Sequence, residues 1–216
     1  MKVLLLNPSV NFDKQFGTLS DFYSPIPSIG LAYLGAVLKQ ANFEVEGLDS
    51  FIACHTTDEM YKNIIKSKPD ILGVSMLTPT GPMVDPILKK LRTEFPNLII
   101  VLGNVHASTF HDYYLSGNLA DYIVHHEGEE TFLELVTNLR DGSDTKEVKG
   151  ISYFDKEQSK VIKTPTRSWI NVTSLENMPY PAWEIFPVDQ FKLDIRLQGV
   201  ASDANENKEV FPLPIL

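Results

Sequence analysis

The chain has 216 residues, 43% hydrophobic and 22% charged, enough for one well-buried core and a smaller appendage. A formal net charge of −9 excludes a basic nucleic-acid surface and disfavours docking on anionic membranes. The single cysteine, Cys54, excludes an internal disulfide framework and an all-cysteine metal site; with no signal segment or span-length apolar run, the reading is a cytoplasmic protein.

Val3-Leu4-Leu5-Leu6 is a continuous apolar run closed by Asn7-Pro8, the pattern of a strand buried on both faces. Residues 9–28 are polar and contain Pro25 and Pro27, so they form a long loop. A helix follows over 29–40, with Leu31, Leu34 and Leu38 spaced for one face. Residues 43–48 alternate apolar and polar, which suits a strand near an edge. A second helix spans 57–66, N-capped by Thr56 or Thr57 and stopped at Pro69-Asp70. Strand 71–77, helix 82–95 and strand 98–102 come next, then a short helix over 107–115. The fifth strand is Tyr122-Ile123-Val124 and the fifth helix spans 129–140.

Five strands alternating with five helices define a parallel sheet with helices on both faces. Right-handed crossovers leave the doubly wound, flavodoxin-like strand order 2-1-3-4-5 as the expectation for this α/β chain. After Asp141-Gly142-Ser143 the pattern changes: 151–154 and 160–164 read as the arms of a small C-terminal β-hairpin. The segment 174–186 is rich in proline and aromatics and reads as a linker. The expected division is 1–142 for the Rossmann-like domain and 143–216 for hairpin and linker.

Open parallel sheets bind ligands beyond the carboxyl ends of their strands, where the strand order reverses. The loops to interrogate are therefore 7–29, 75–81, 103–108 and 125–130. No Gly-x-Gly-x-x-Gly follows the first strand, which excludes a dinucleotide cradle and a P-loop. A flavodoxin phosphate loop does not match the long proline-bearing segment. A phosphorylation receiver needs an aspartate ending the third strand, where Ser75-Met76-Leu77-Thr78 stands. Gly-x-Ser-x-Gly is absent, so a hydrolase elbow is excluded. What the loops do offer is small and hydroxyl-bearing residues: Ser75, Thr78, Thr80 and Gly81, then Gly103, Asn104, Ala107 and Ser108. Such residues admit a large ligand close to the backbone.

Five pieces in order resemble the cobalamin (vitamin B12)-binding domain that precedes the barrel of cobalamin-dependent radical S-adenosylmethionine enzymes. They are residues 25–38 (Pro-Ile-Pro-Ser-Ile-Gly-Leu onward), Pro69-Asp70-Ile71-Leu72-Gly73-Val74-Ser75, and Gly103-Asn104-Val105-His106-Ala107-Ser108. The others are residues 121–129, ending His126-Glu127-Gly128-Glu129, and residues 175–183 with Met178-Pro179-Tyr180-Pro181. The resemblance implies a site formed by Pro27, Ser28, Gly30, Leu31, Ser75, Leu77, Thr78, Gly103, Asn104, His106, Glu127, Gly128 and Glu129.

Two family glycines are replaced here, by Asn104 and His126, and either change narrows the channel for the cofactor tail. Other cobalamin proteins carry Asp-x-His-x-x-Gly in the first loop, and their histidine ligates cobalt from below. If Gly30 is that glycine, Pro25 and Pro27 stand at the Asp and His places. The resemblance then implies cobalamin held base-off with no protein histidine on the metal, in a methyltransferase-class enzyme. The parent protein would also bind a [4Fe-4S] cluster and S-adenosylmethionine, but Cys54 alone cannot hold the cluster. The expectation is an N-terminal fragment whose partner, a radical S-adenosylmethionine barrel, follows Leu216.

Simpler roles stand beside these. His106 either faces the ligand or orients its own turn. Glu127 and Glu129 suit the N-terminus of the fifth helix, where anions are favoured. His125 and His126 leave a strand end toward opposite faces, so with His111 they are not expected to hold a metal. The alternative for the whole chain is the same fold as a cofactor-free interaction or vestigial domain.

Overall fold

The computed structural model describes residues 1–11, 17, 27–169 and 177–186. Its elements in chain order are β1 (Lys2–Asn7), α1 (Ile29–Gln40), β2 (Glu44–Asp49), α2 (Thr57–Ser67) and β3 (Ile71–Ser75). Then come α3 (Gly81–Glu94), β4 (Ile99–Gly103), α4 (Asn104–Thr109), α5 (His111–Ser116), β5 (Tyr122–Val124) and α6 (Glu129–Asp141). The arms β6 (Ile151–Asp155) and β7 (Lys160–Lys163) close the sheet, and short 3-10 turns occupy Thr78–Thr80 and Trp183–Ile185.

The strands form one sheet in the order β2-β1-β3-β4-β5-β6-β7. The first five pair in parallel, as the alternation of elements predicts, and β6 and β7 add antiparallel. The hairpin thus extends the sheet past β5. Lys160 and Lys163 stand at the ends of the outer arm, charges that discourage further pairing at an edge.

Successive β1 side chains point to opposite faces, and both faces are buried. Leu4 and Leu6 join Leu72, Val74, Ile100, Leu102 and Ile123 in a core under α2 and α3. Val3 and Leu5 join Ile71, Val101 and Val124 in a second core with Leu31 and Leu38 of α1 and Phe132 and Leu135 of α6. Right-handed crossovers require this arrangement: the chain steps outward from β1 to β2 over one face and returns to β3, β4 and β5 over the other. The strand order therefore reverses at β1 and β3.

Local chemistry sets the boundaries. Thr56 is the N-cap of α2 in a reciprocal capping box with Glu59: the Thr56 N–H donates to the Glu59 carboxylate at 2.8 Å, and the Glu59 N–H to Thr56 Oγ1 at 3.3 Å. The expected single helix over 107–115 is instead two, α4 and α5, meeting at Phe110. Thr109 Oγ1 donates to the Val105 carbonyl at 2.8 Å, a back-bond of the kind that bends helices.

Residues 177–186, read from sequence as linker, lie against α1 and β2. The Ala182 N–H donates to the Ala32 carbonyl at 3.0 Å, and Glu184 pairs with Lys39. Phe186 is buried in the second core. A Cβ added at Gly47 would lie 2.5 Å from the Phe186 ring and 2.9 Å from the Ile185 carbonyl oxygen. The glycine is thus the seat for this segment.

Replacing it tests that contact. Gly47→Ala is expected to destabilise the protein by about 1–3 kcal/mol through overpacking, read as a lower urea midpoint.

His125 ties β5 to the hairpin. Its N–H donates to the Gly150 carbonyl at 2.9 Å, and Nε2 lies 2.7 Å from Ser152 Oγ. The side chain is 3% exposed. Burial, with Lys163, His111 and His126 nearby, pushes its pKa down to about 4 from the ordinary 6.5. The unfolded chain therefore binds more protons between these values, so stability is full above pH 6.5 and falls as the pH drops toward 4. The loss is on the order of 3 kcal/mol. Urea denaturation of wild type and His125→Gln across that range checks it: the slope flattens in the variant.

Candidate functional site

A cavity of about 470 Å³ opens at the carboxyl ends of β1, β3, β4 and β5, on the face covered by α1 and α6. This is the side of the sheet at which the strand order reverses. The first turn of α1 supplies Pro27, Ser28, Gly30 and Leu31, and the strands supply Gly73, Ser75, Gly103 and Val124. Loop 126–129 closes one end and Phe132 of α6 the other side.

The space exists because side chains are missing from the sheet. An added Cβ at Gly103 would meet nothing nearer than the Val124 carbonyl oxygen at 3.8 Å, so it would project into the cavity. Gly73 lies inside an apolar strand, and an added Cβ there would come within 3.1 Å of Leu5 and 3.3 Å of Phe132. One glycine leaves the floor open and the other lets its walls approach.

The two family-glycine positions, 104 and 126, keep the backbone that glycine favours. Asn104 has φ 74° and His126 has φ 58°, both left-handed. Asn104 eases this locally: its Nδ2 donates to Ser75 Oγ at 3.1 Å, and its Oδ1 accepts from the Val105 N–H at 2.7 Å. The His126 ring packs edge-on against Trp169 at 5.2 Å. Both side chains border the cavity and neither fills it.

Of the expected site residues, Pro27, Ser28, Gly30, Leu31, Ser75, Gly103, Asn104, Glu127, Gly128 and Glu129 line the cavity together. Leu77, Thr78 and His106 do not. Leu77 and Thr78 are exposed on the loop after β3. His106 belongs to a chain of hydrogen bonds on the opposite face: Tyr114 Oη donates to Asp85 at 3.0 Å and accepts from His106 Nε2 at 3.0 Å. His106 Nδ1 then accepts from Thr78 Oγ1 at 3.3 Å. The ring orients the β3 and β4 loops with respect to each other. Pro25 lies outside the described residues, and Pro27 is a buried wall of the cavity.

Sequence reasoning missed several walls. Leu34 reads only as a face residue of its helix and Phe132 carries no signal of its own; Gly73, a glycine inside an apolar strand, is the available signal of a close approach. It also missed Asp49, which is 2% exposed at the end of β2. Asp49 accepts from Asn7 Nδ2 at 3.0 Å, from the Ile52 N–H at 3.1 Å and from the Ser28 backbone. It thereby fixes the start of α1 against the sheet. Burial pushes its carboxyl up despite these donors. No group of three potential metal ligands occurs among the described residues, and none of their helices is long and apolar enough to cross a membrane.

A doubly wound sheet with a small-residue cavity on its reversal point is the architecture of a nucleotide-tail or cofactor-binding domain. The chain belongs to the B12 binding domain family, whose model matches residues 17–136. It is 29% identical over 197 residues to an uncharacterized methyltransferase of Pyrococcus horikoshii, covering 90% of this chain and 40% of that protein. It is 32% identical over 161 residues to the anaerobic magnesium-protoporphyrin IX monomethyl ester cyclase of Synechocystis sp., covering 73% of this chain and 32% of the cyclase. The cobalamin-dependent S-adenosylmethionine radical enzyme OxsB, solved with aqua-cobalamin and S-adenosylmethionine bound, superposes with a TM-score of 0.69 at 27% identity. That match covers 85% of this chain and 24% of OxsB. The chain therefore spans well under half of each of these proteins.

The left-handed backbone at 104 gives a direct test. Asn104→Gly is expected to keep or raise stability, and Asn104→Ala to lower it by about 1 kcal/mol, because alanine gains no local hydrogen bond for the strained conformation. Thermal melts of the two variants give the comparison.

Proposed function

We propose that this chain holds cobalamin, with the nucleotide tail inserted in the cavity between α1, α6 and the sheet. The observation that carries the reading is the open floor at Gly103, with the walls drawn in at Gly73, inside a B12 binding domain. The residues present fit the group. Gly30, Gly103 and Gly128 allow close approach, Ser28 and Ser75 offer hydroxyls, and Leu31, Leu34, Val124 and Phe132 give an apolar sleeve that excludes water.

Bound cobalamin supplies cobalt-centred organometallic chemistry of the kind used to carry a methyl group. The chain's own residues act on position. Asp49 and Asn7 hold the α1 entrance, Asn104 holds Ser75, and the Asp85–Tyr114–His106–Thr78 chain holds the loop that rims the sheet. The corrin would rest on that rim and turn its outer face toward a partner domain of the radical S-adenosylmethionine type. The methyltransferase name of the Pyrococcus relative supports methyl transfer as the parent reaction.

Cobalamin is held base-off without a histidine ligand. Pro27 has no nitrogen lone pair to offer at the histidine place of the first loop. His106 and His125 are each committed to protein partners. The persistence of the cavity beside Asn104 and His126 favours this reading over a cofactor-free domain.

Titration with hydroxocobalamin tests it. Trp169 sits against His126 at the cavity rim, so its emission should be quenched as the corrin arrives. The bound spectrum should be base-off and unchanged by His126→Ala. Gly103→Leu should weaken binding by about tenfold or more, since one filled side-chain volume displaces the tail. A wild-type chain that neither quenches nor changes the spectrum would remove the reading; a histidine-ligated spectrum would remove its axial part.

A further inference from the structure

The cavity contains one buried acid that the glycines, hydroxyls and apolar walls do not account for. Glu129, the first residue of α6, lines it, and its Oε2 is buried with no hydrogen-bond partner among the described residues. The walls from β1, β3, β4 and α1 contribute no titratable side chain. The other titratable groups on the lining are His126 and Glu127, both exposed, and Glu130 beside them pairs with Arg167 at 3.5 Å on the outside. No cation among the described cavity residues neutralises Glu129. A buried carboxyl oxygen is stabilised by a donor.

The same acids repel an anionic group. A phosphate is therefore disfavoured beside Glu129, and the base is the part of the tail left to meet it. We propose that Glu129 recognises the nitrogenous base of the cofactor's nucleotide tail, sharing one proton with the ring nitrogen that is free once the base has left cobalt. This rests on the reading of the cavity as the tail site. It adds a specificity: the chain selects corrinoids whose tail ends in a basic ring nitrogen, and selects them base-off, because only then is that nitrogen available.

The acid is suited to the task. Burial, reinforced by Glu127 and Glu130, pushes its carboxyl up from the ordinary value, against the pull of the backbone N–H groups at 128 and 129. A carboxylic acid donates to an unprotonated ring nitrogen, and a carboxylate accepts from a protonated one. Both states place a single proton between the same two atoms, and the contact weakens when the pH removes it.

Binding of hydroxocobalamin and of aquacobinamide, the corrinoid without the nucleotide, to the 216-residue chain and its variants separates the possibilities. Wild type should prefer cobalamin, with the preference falling as the pH rises. Glu129→Ala should lose about tenfold or more of the cobalamin affinity and leave cobinamide unchanged. Glu129→Gln, whose amide still donates, should keep most of the preference and lose its pH dependence. If Glu129→Ala weakens both corrinoids alike, or neither, the role of Glu129 is overturned while a wild-type preference leaves the tail site standing. If wild type binds the two equally, the tail does not enter the cavity, and the proposed function fails with the inference.

Discussion

Side-chain volume withheld from one face of the sheet governs this molecule. At Gly73 and Gly103 the strands keep their hydrogen bonds to neighbours but contribute nothing above the sheet. Around Gly73 the packing is close, with Leu5 and Phe132 within 3.3 Å of an added Cβ, and Leu34 comes as near to one at Gly128, whereas Gly103 faces the open cavity. A close-packed interior does not leave such a space by accident, because each missing contact costs dispersion energy. The space lies where the chain reverses direction over the sheet, so the topology and the cavity are consequences of one another.

The backbone at 104 and 126 shows what a substitution can preserve. Glycine tolerates the left-handed region freely, whereas other residues carry a cost of order 1 kcal/mol there. Asparagine is the best replacement because its side chain bonds locally, and Asn104 does so with Ser75 and the Val105 N–H. His126 directs its ring outward to Trp169. The loop geometry survives, and the added atoms line the cavity mouth.

Much of this was legible in the sequence. Continuous apolar strands such as Val3-Leu4-Leu5-Leu6 announce burial on both faces, and that fact, with right-handed crossovers, yields the five-strand order. The glycines and hydroxyls of the strand-end loops announced the cavity's location. Other features depended on distant pairings that no local pattern encodes. His106 sits in a site-like motif yet turns to Tyr114 and Asp85, because helix α4 presents it to the far face. The role of Asp49 comes from donors 42 residues before it and three after it, which no local pattern marks. The linker's docking depends on Gly47, whose meaning appears only when Phe186 is placed on it. Helices α4 and α5 meet at Phe110, a break that periodicity does not register.

In the proposed reading the cofactor tail enters on the α1 and α6 face of the sheet. Amide chemical shifts of isotopically labelled protein, followed as hydroxocobalamin is added, test it most directly. Large shifts are expected at Gly73, Gly103 and Gly128, with Asn63 and Lys66 on the far side of the sheet unmoved. Shifts confined to the Asn63 and Lys66 side, or none at the three glycines at saturation, would contradict it.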